Sequence, residues 1–452
     1  MLEQIELFLG KASGFVWGPP LLILLVGTHL FLTVRLGFIQ RHIWKGIKLS
    51  FSRKNEGEGD ISQFGALMTA LAATVGTGNI AGVATAIAAG GPGAALWMWL
   101  TGVFGIATKY GEALLSVKYR VTTADGKKAG GPMYVLEHGM GQKWLGVIFA
   151  IMTACAAFGI GNMVQANSLA DLVQETFGFP RWGTGLIVAA LTAMVMIGGI
   201  RWIARVCEVL VPFMAVFYIL GCLVLLVVGL PTIPATIKLI ITSAFTGHAA
   251  VGGFMGAAMR NAIRYGVARG LFSNESGLGS APIVAAAAQT RNPVRQALVS
   301  ATGTFWDTVV ICALTAIVIV NSGEWQSGAT GAPLTRLAFA RLPYFGPFVL
   351  SVGMFTFVFS TILGWSYYGE KAVEYLMGAS VAKPYRVLWV ICVFIGSVAT
   401  LKAVWDFADT LNGLMAIPNL ISLVALNGII VGETRKYMGK FDSEAETGDN
   451  SV

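Results

Sequence analysis

Long apolar stretches alternate with short polar stretches along the whole chain. A transmembrane α-helix needs about 20 mostly apolar residues to cross the roughly 30 Å hydrocarbon core of a bilayer. The apolar stretches are about this long or longer, so the pattern predicts one all-α, polytopic membrane bundle and not several soluble domains. Eleven spans are predicted, near residues 15–36, 62–89, 93–118, 144–172, 183–200, 207–229, 254–289, 297–320, 345–370, 386–403 and 408–431.

The second and seventh predicted spans are longer than one crossing and are interrupted by glycine and hydroxyl residues. Residues 73–79 read Ala-Thr-Val-Gly-Thr-Gly-Asn, and residues 273–280 read Ser-Asn-Glu-Ser-Gly-Leu-Gly-Ser. Each stretch is followed by a short alanine-rich segment. Because the second stretch lies five spans after the first, it runs through the membrane in the opposite sense. Paired broken helices in inverted repeats indicate a secondary transporter.

This symmetry also predicts how the chain is organised. One extra helix and a basic loop precede two inverted repeats, which are joined by an extracellular connection and followed by a tail. The acidic composition after Lys440 predicts a disordered end. The predicted units are residues 1–61, 62–230, 231–253, 254–432 and 433–452.

Unwound backbone in the middle of a membrane exposes polar groups that hydrocarbon cannot satisfy. Such a break persists where a polar ligand or a cavity satisfies those groups. In the second span, the freed N–H groups of Thr77, Gly78 and Asn79 are expected to point at an anion, here a substrate carboxylate. The freed carbonyls of Ala72 and Val75 are expected to coordinate a hard cation such as Na⁺.

This glycine-rich stretch has two other interpretations. Gly78 and Gly82 have the GxxxG spacing that packs two helices closely, so helix packing remains an alternative to ligand binding. A dinucleotide-binding loop is excluded because the spacing from Gly76 to Gly82 does not fit GxGxxG. An apolar helix also precedes the loop where that motif requires a strand.

Composition and charge agree with a membrane bundle. The chain is 55% hydrophobic and 12% charged, whereas soluble domains carry about 25% charged residues. The net charge of +8 comes from basic residues in every second loop, which indicates membrane topology and not nucleic-acid binding. With those loops cytoplasmic, the N-terminus is expected outside the cell and the C-terminus inside. A multi-pass protein of the plasma membrane is predicted, with the lipid bilayer as its surroundings and no obligate protein partner.

Residues 90–105, Gly-Gly-Pro-Gly-Ala-Ala-Leu-Trp-Met-Trp-Leu-Thr-Gly-Val-Phe-Gly, resemble the GGxGAxFWMW signature of the alanine or glycine:cation symporter family. Leu96 stands where that family usually has phenylalanine. Residues 130–134, Gly-Gly-Pro-Met-Tyr, and residues 274–282, Asn-Glu-Ser-Gly-Leu-Gly-Ser-Ala-Pro, also resemble the family. The resemblance extends over essentially the whole chain. It implies sodium-coupled symport of alanine and glycine, and a LeuT-type fold of ten core helices in two inverted halves after one extra helix.

The same resemblance implies a substrate site. Thr77 and Gly78 would bind the substrate carboxylate, and Asn79 would lie near a possible first sodium site. Phe272 would cover the substrate as a gate, and Ser273 would be a polar ligand. Trp365 would crowd the substrate side chain, which suits alanine or glycine. The second break adds Ser276 and Gly277 to the candidate substrate contacts.

A sodium site is implied as well. In the ninth span, Phe357 offers a carbonyl, and Ser360 and Thr361 offer hydroxyl groups. With the carbonyls of Ala72 and Val75 these make five oxygens for Na⁺, the coupling ion and the only cofactor indicated. The alternative for the two hydroxyl groups is hydrogen bonding to their own helix.

Other polar residues within the spans are also candidates. Gln165 lies near the place where this fold uses a tyrosine to hold the carboxylate, and no matching tyrosine is present. It either replaces that contact or hydrogen-bonds another helix. Lys109 and Glu112 are expected to form a structural pair. The acids within the spans are candidates for ion or proton pathways: Glu112, Glu208, Glu275, Asp307, Asp406 and Asp409. Arg260, Arg264 and Arg269 fit the seventh span poorly unless they line a wet vestibule.

Three classes of function were compared. A channel would need a continuous polar stripe or a selectivity ring, and a membrane-embedded enzyme would need catalytic groups such as HExxH or an aspartate pair. Neither pattern occurs in the spans, so a transporter is predicted and no enzyme activity. Sequence alone leaves open whether Na⁺ or a proton drives transport.

Overall fold

Apart from one two-stranded hairpin, the chain folds into α-helices, and the computed structural model describes residues 2–52, 57–246, 255–399 and 402–447. The hairpin pairs β1 (Val121–Thr122) antiparallel to β2 (Lys128–Ala129). The helices of the first half are α1 (Leu2–Val16), α2 (Pro19–Arg35), α3 (Ile43–Ser50), α4 (Gln63–Thr74), α5 (Val83–Gly90), α6 (Ala94–Lys118), α7 (Pro132–Tyr134), α8 (Lys143–Phe158), α9 (Val164–Phe177), α10 (Arg181–Met196), α11 (Gly199–Val228) and α12 (Ile233–Thr246).

The second half of the chain is also helical. Its helices are α13 (Met255–Asn274), α14 (Pro282–Ala285), α15 (Pro293–Thr304), α16 (Ala313–Ser322), α17 (Gly331–Phe339), α18 (Phe345–Met377), α19 (Ala382–Val398), α20 (Lys402–Ala425) and α21 (Asn427–Thr447). Wider π-helical turns, which are frequent at functional sites, occur at Gly78–Gly82, Val135–Gly139, Gly159–Met163 and Phe305–Cys312.

Each predicted span corresponds to one of these helices or to a pair of them. By length and composition alone, seven continuous helical segments in the described residues can cross a membrane, and the bent pair α4–α5 makes eight. The more polar α6 and α13 are not among these eight. In α6 every residue from Gly105 to Val117 is buried by neighbouring helices. A helix enclosed by protein has no need of an entirely apolar surface.

Several helices were not predicted. The expected connection at residues 231–253 contains α12, and α3 and α17 lie in predicted loops. The prediction of a disordered end was wrong as far as Thr447, because α21 continues to that residue; residues 448–452 lie outside the described part.

The lipid-facing surface and the close packing inside agree with a bilayer environment. Large apolar side chains are exposed on the outer faces of many helices, among them Ile23, Ile197, Val209, Phe213, Val227, Phe348 and Val387. Inside, glycines let backbones approach closely. A Cβ on Gly364 of α18 would lie 2.7 Å from the backbone nitrogen of Ala73, so glycine is needed where α18 crosses the end of α4.

Candidate functional site

The first break lies where α4 ends. Val75 leaves the helix in an extended conformation, with φ −78° and ψ 92°. The helix axis bends by 52° between Thr74 and Gly78, where helical structure resumes. The Gly76 N–H donates to the Asn79 side-chain oxygen at 2.9 Å, and the Asn79 N–H donates to the Gly76 carbonyl at 3.2 Å. The predicted break of the second span is therefore present, and a polar side chain supports it.

The second break lies between α13 and α14. Glu275, Gly277 and Gly279 all have positive φ, at 55°, 89° and 86°. Glycine tolerates this conformation, whereas it strains a residue with a side chain. Pro282 then starts α14. The predicted interruption of the seventh span is present, and Glu275 is one of three non-glycine residues with positive φ in the described ranges.

The two breaks lie against each other. A Cβ on Gly78 would be 3.3 Å from the Cα of Ser273 and 3.4 Å from the Phe272 ring. A Cβ on Gly82 would have only the Thr77 carbonyl within 4 Å, at 3.9 Å. Helix packing by a GxxxG pair is therefore not supported at Gly82, whereas Gly78 is needed where the breaks meet.

Five oxygen atoms from α4 and α18 converge beside the first break. The Ser360 hydroxyl lies 3.3 Å from the Ala72 carbonyl, and the Thr361 hydroxyl lies 3.3 Å from the Val75 carbonyl. Both hydroxyls also lie within 2.9 Å of the Phe357 carbonyl. The Ser360 and Thr361 hydroxyl groups therefore contact both a carbonyl of their own helix and carbonyls of the second span. The arrangement brings together the five predicted sodium ligands, and their role in binding an ion stays a prediction.

Gly76→Ala tests whether this cluster binds a cation. The added Cβ would lie 2.5 Å from the Thr361 hydroxyl and 3.3 Å from the Gln165 side-chain oxygen. Overpacking costs about 1–3 kcal/mol, so we expect the Na⁺ concentration for half-maximal uptake to rise about ten-fold or more. Gly82→Ala is the matched control, because its Cβ would make only an ordinary contact, 3.9 Å from the Thr77 carbonyl. Equal Na⁺ dependence in the two variants would contradict the assignment.

Gln165 reaches the first break from α9. Its side-chain oxygen accepts from the Thr77 N–H at 3.3 Å, and its amide group donates to the Ile160 carbonyl at 2.9 Å. Gln165 therefore hydrogen-bonds the second span at Thr77, one of its two expected roles, and its contact with a substrate carboxylate stays a prediction. The Thr77 hydroxyl is buried and has no hydrogen-bond partner among the described residues. An unpaired buried hydroxyl at a break is what a polar ligand would satisfy.

Asp307 links the two breaks, a role the sequence did not reveal. It is fully buried in the π-helical turn that follows α15. Its carboxylate accepts from the Asn79 side-chain amide at 2.7 Å, from the Ser273 hydroxyl at 3.0 Å and from the Thr308 hydroxyl at 2.6 Å. Sequence reasoning included Asp307 only among several acids within spans. The available signal was an acid in the middle of an apolar span, where a charge is costly unless it has a partner.

Trp365 is held by the second break. Its indole N–H donates to the Glu275 carboxylate at 2.9 Å, and the Ser280 hydroxyl donates to the other oxygen of that carboxylate. Gly161 leaves room for the ring, since a Cβ there would lie 2.1 Å from the Trp365 Cβ. Glu275 thus connects the second break to α18, four residues beyond the candidate sodium ligand Thr361. The predicted contact of Trp365 with the substrate side chain stays a prediction.

Phe272 is sandwiched between Arg269 and Trp405. The Arg269 guanidinium lies 5.5 Å from the centre of its ring, and Trp405 stacks against it at 6.5 Å. Arg269 also pairs with Asp409 across 3.5 Å. The Arg269 side chain is 25% exposed, and Arg260 and Arg264 are exposed. The arginines of the seventh span therefore lie on exposed or partly exposed faces of α13, and the vestibule stays a prediction.

Ser276 and Gly277 have partners within the protein. The Ser276 hydroxyl pairs with Thr304 at 3.1 Å. The N–H groups of Gly277 and Gly279 donate to one oxygen of Glu112, at 3.0 and 3.1 Å. The Gly277 carbonyl accepts from Asn419 at 2.9 Å. A substrate contact through Gly277 stays a prediction, although its backbone polar groups are already satisfied.

The expected pairing of Lys109 with Glu112 was wrong. Within the described residues the buried Lys109 ammonium has no hydrogen-bond partner, and Glu112 accepts from Asn419 at 2.6 Å in addition to the glycines. The i,i+3 spacing allowed the pair, but the freed N–H groups of the second break bind the Glu112 carboxylate instead.

Comparison with known proteins identifies the family. The sequence matches the sodium:alanine symporter family over residues 2–450. It is 53% identical to the sodium/alanine symporter AgcS of Methanococcus maripaludis, over 94% of this chain and 95% of that protein. It is 35% identical to the probable sodium/glutamine symporter GlnT of Bacillus subtilis, over 97% and 91%. With the putative sodium/proton-dependent alanine carrier protein YrbD of the same organism it shares 36% identity, over 93% and 90%.

The fold has a solved counterpart. The crystal structure of MhsT in complex with L-phenylalanine superposes with a TM-score of 0.57, at 15% identity, over 83% of this chain and 98% of that one. This likeness confirms the predicted LeuT-type fold. The family match confirms the resemblance seen in the sequence, and it identifies a membrane transporter that is not an enzyme. The chain belongs to the sodium:alanine symporter family.

Proposed function

We propose that this protein is a secondary active transporter that carries alanine and glycine into the cell together with Na⁺ by alternating access. The observation that carries the proposal is the group of five oxygen atoms beside the first break. Carbonyl and hydroxyl oxygens are the ligands that a hard cation prefers. The names of AgcS, GlnT and YrbD all include sodium, which supports this choice of ion.

In this proposal the amino acid binds between the two breaks. The N–H groups of Thr77 and Gly78 and the amide of Gln165 hold its carboxylate, while Ser273 and Ser276 supply polar contacts. Phe272 covers the site and Trp365 limits the length of the substrate side chain. Na⁺ bound by α4 and α18 favours the outward-open state, so that the substrate binds after the ion. Two parts of the core then rock against each other and release both inside.

Membrane orientation belongs to the same proposal. The basic loops lie in the cytoplasm, which puts the N-terminus outside and the C-terminal tail inside. We propose no nucleic-acid partner and no obligate protein partner. The required surroundings are the lipid bilayer of the cell membrane.

Uptake of labelled L-alanine into proteoliposomes tests the coupling ion. One sample has an inward Na⁺ gradient, and the other has choline in place of Na⁺ at the same pH. We expect alanine to accumulate only with the Na⁺ gradient, and unlabelled glycine to compete with it. No saturable uptake under either condition would overturn the proposal.

Proton coupling is the second candidate, and Asp307 is the observation that favours it. This carboxylate is fully buried, and neutral groups make all of its described hydrogen bonds. A carboxyl group in such a place can take up a proton or attract a cation. Equal uptake in choline that is abolished by a proton ionophore would assign the coupling to a carboxylate such as Asp307 or Glu275.

A further inference from the structure

Arg120 makes an unusual set of hydrogen bonds just beyond the end of α6. It follows α6, and its guanidinium donates to four backbone carbonyls. One nitrogen bonds Ala286 at 3.0 Å and Ala288 at 2.7 Å, and the other bonds Glu58 at 2.8 Å and Thr290 at 2.9 Å. Carbonyls at and beyond the end of a helix lack helical partners, and a cation is favoured there.

These carbonyls belong to segments that approach the two broken helices. The chain before α4 pairs with the chain after α14: the Asp60 N–H donates to the Ala287 carbonyl, and the Gln289 N–H donates to the Ile61 carbonyl, both at 2.8 Å. Ile61 and Ala288 form a parallel bridge. A Cβ on Gly59 would lie 2.4 Å from the Gln289 backbone nitrogen, so the two segments are in direct backbone contact.

The last turn of α6 and the loop that follows it contact the same place. The Ser116 hydroxyl donates to the Pro282 carbonyl at 2.7 Å. A Cβ on Gly130 would lie 2.4 Å from the Ala286 Cβ, and one on Gly131 would lie 2.8 Å from the Ile283 side chain. Both glycines belong to the Gly-Gly-Pro-Met-Tyr motif, whose small residues thus allow the loop to lie on α14.

The hairpin in this loop reaches the chain before α4. The Lys128 N–H donates to the Asp60 carboxylate at 3.0 Å, and the Lys128 ammonium pairs with Glu58. Residues 116–131, called the loop clamp here, therefore contact α14 and the chain before α4 at the same time.

We propose that Arg120 is a positioning residue of the loop clamp that fastens the ends of both broken helices to α6, so that these elements move as one body during transport. The proposal rests on the proposed function. The start of α4 then does not swing out on its own, and the route to this end of the protein opens only when the whole body rocks. Because this single movement opens the route, ion and substrate are released together. Without the clamp, the start of α4 opens the route independently of the rocking movement.

Arg120→Gln tests the proposal through a cysteine reporter. Ile61→Cys places a thiol in the paired segment, in a variant whose accessible Cys155 and Cys392 are replaced by serine. A maleimide then reports opening in detergent-purified protein, with no need for transport. Ile61 is 6% exposed, so slow labelling is expected with Arg120 present. We expect about ten-fold faster labelling in Arg120→Gln, because charge-assisted hydrogen bonds are lost, and an intermediate rate in Arg120→Lys.

Lys127→Gln is the matched control. Lys127 lies in the same hairpin and pairs with Asp125, while none of its described hydrogen bonds reaches α14 or the chain before α4. Its labelling rate is expected to equal that of the parent protein. Size-exclusion profiles must be equal for all variants, and Arg120→Lys replaces Arg120→Gln if the glutamine variant elutes as aggregate. Equal labelling rates in the Arg120 and Lys127 variants would overturn the proposal.

A second readout connects the clamp to coupling. In proteoliposomes we expect Arg120→Gln to keep alanine exchange and to lose at least half of the gradient-driven accumulation. If Arg120→Gln shows fast labelling but full accumulation, the paired segments open while alanine transport stays coupled to the gradient. That result would overturn the proposal that these elements move as one body. If the parent protein shows no Na⁺-dependent uptake, the proposed function fails, and the labelling experiment still decides whether Arg120 holds the segments together.

Discussion

Thr361→Ala is expected to raise the Na⁺ concentration for half-maximal alanine uptake about 10- to 100-fold. The variant removes one of the five oxygens near the first break, the one that lies 3.3 Å from the Val75 carbonyl. A hydrogen bond or ligand contact to a charged group is worth about 1.5–3 kcal/mol, and 1.4 kcal/mol corresponds to a factor of ten. Initial uptake rates measured over a series of Na⁺ concentrations give the value directly.

Thr356→Ala is the matched control for this experiment. Thr356 lies on the same helix and is buried, but its hydroxyl bonds only its own helix, at the Val352 and Gly353 carbonyls. Its Na⁺ dependence is expected to equal that of the unmodified protein. The apparent alanine affinity of Thr361→Ala at saturating Na⁺ is expected to change less than the Na⁺ dependence. Unchanged Na⁺ dependence in Thr361→Ala would show that the Thr361 hydroxyl of α18 is not a ligand of the cation.

Asp307→Asn is expected to lower alanine uptake at least about ten-fold, even at saturating Na⁺. The carboxylate accepts hydrogen bonds from both breaks, through Asn79 and Ser273. Asparagine keeps the shape but brings an NH₂ group against at least one donor, and leaving a buried polar group unsatisfied costs about 1–3 kcal/mol. It also removes the negative charge available to a coupling cation. Uptake rates and the number of charges moved per alanine, measured electrically, separate these two effects.

Glu324→Gln is the control for the loss of a negative charge. Glu324 lies in the short turn after α16, at the end of the same predicted span, and is partly exposed. Uptake and charge movement are expected to be unchanged in this variant. Normal uptake in Asp307→Asn with the same charge per alanine would show that Asp307 serves neither to position the breaks nor to couple a cation.

The two breaks were predictable because their cause is local. Glycine next to hydroxyl residues cannot sustain a helix well, and this pattern is visible in residues 73–79 and 273–280 whatever surrounds them. The five oxygens of the candidate sodium site were predictable only through the family resemblance, because nothing in the pattern of α18 itself distinguishes Thr361 from Thr356. The structure separates these two hydroxyls by showing which one faces α4.

Contacts between distant segments were not predictable. Glu112 binds Gly277 and Gly279, which follow it by 165 and 167 residues, and no periodicity in the sequence links them. The local spacing suggested Lys109 as its partner, and the tertiary contact replaced that pair. The bonds from Asp307 to both breaks were not predictable for a related reason, since an acid in a span indicates a functional role without indicating its partners. Arg120 looked like one more basic loop residue, and its carbonyl acceptors carry no side-chain signature.

The polarity of α6 and α13 has a consequence for how the protein is made. Lys109 and Glu112 lie within α6, and Arg260, Arg264 and Arg269 lie within α13. Each such charge at the centre of an isolated helix costs about 2.5–3.5 kcal/mol during insertion by the translocon. The two helices pack closely on each other in the finished bundle, and α13 is synthesised about 140 residues after α6. During synthesis α6 must therefore remain beside the translocon or pack against α2 until α13 emerges, so the stable insertion of α6 depends on a helix that the ribosome has not yet made.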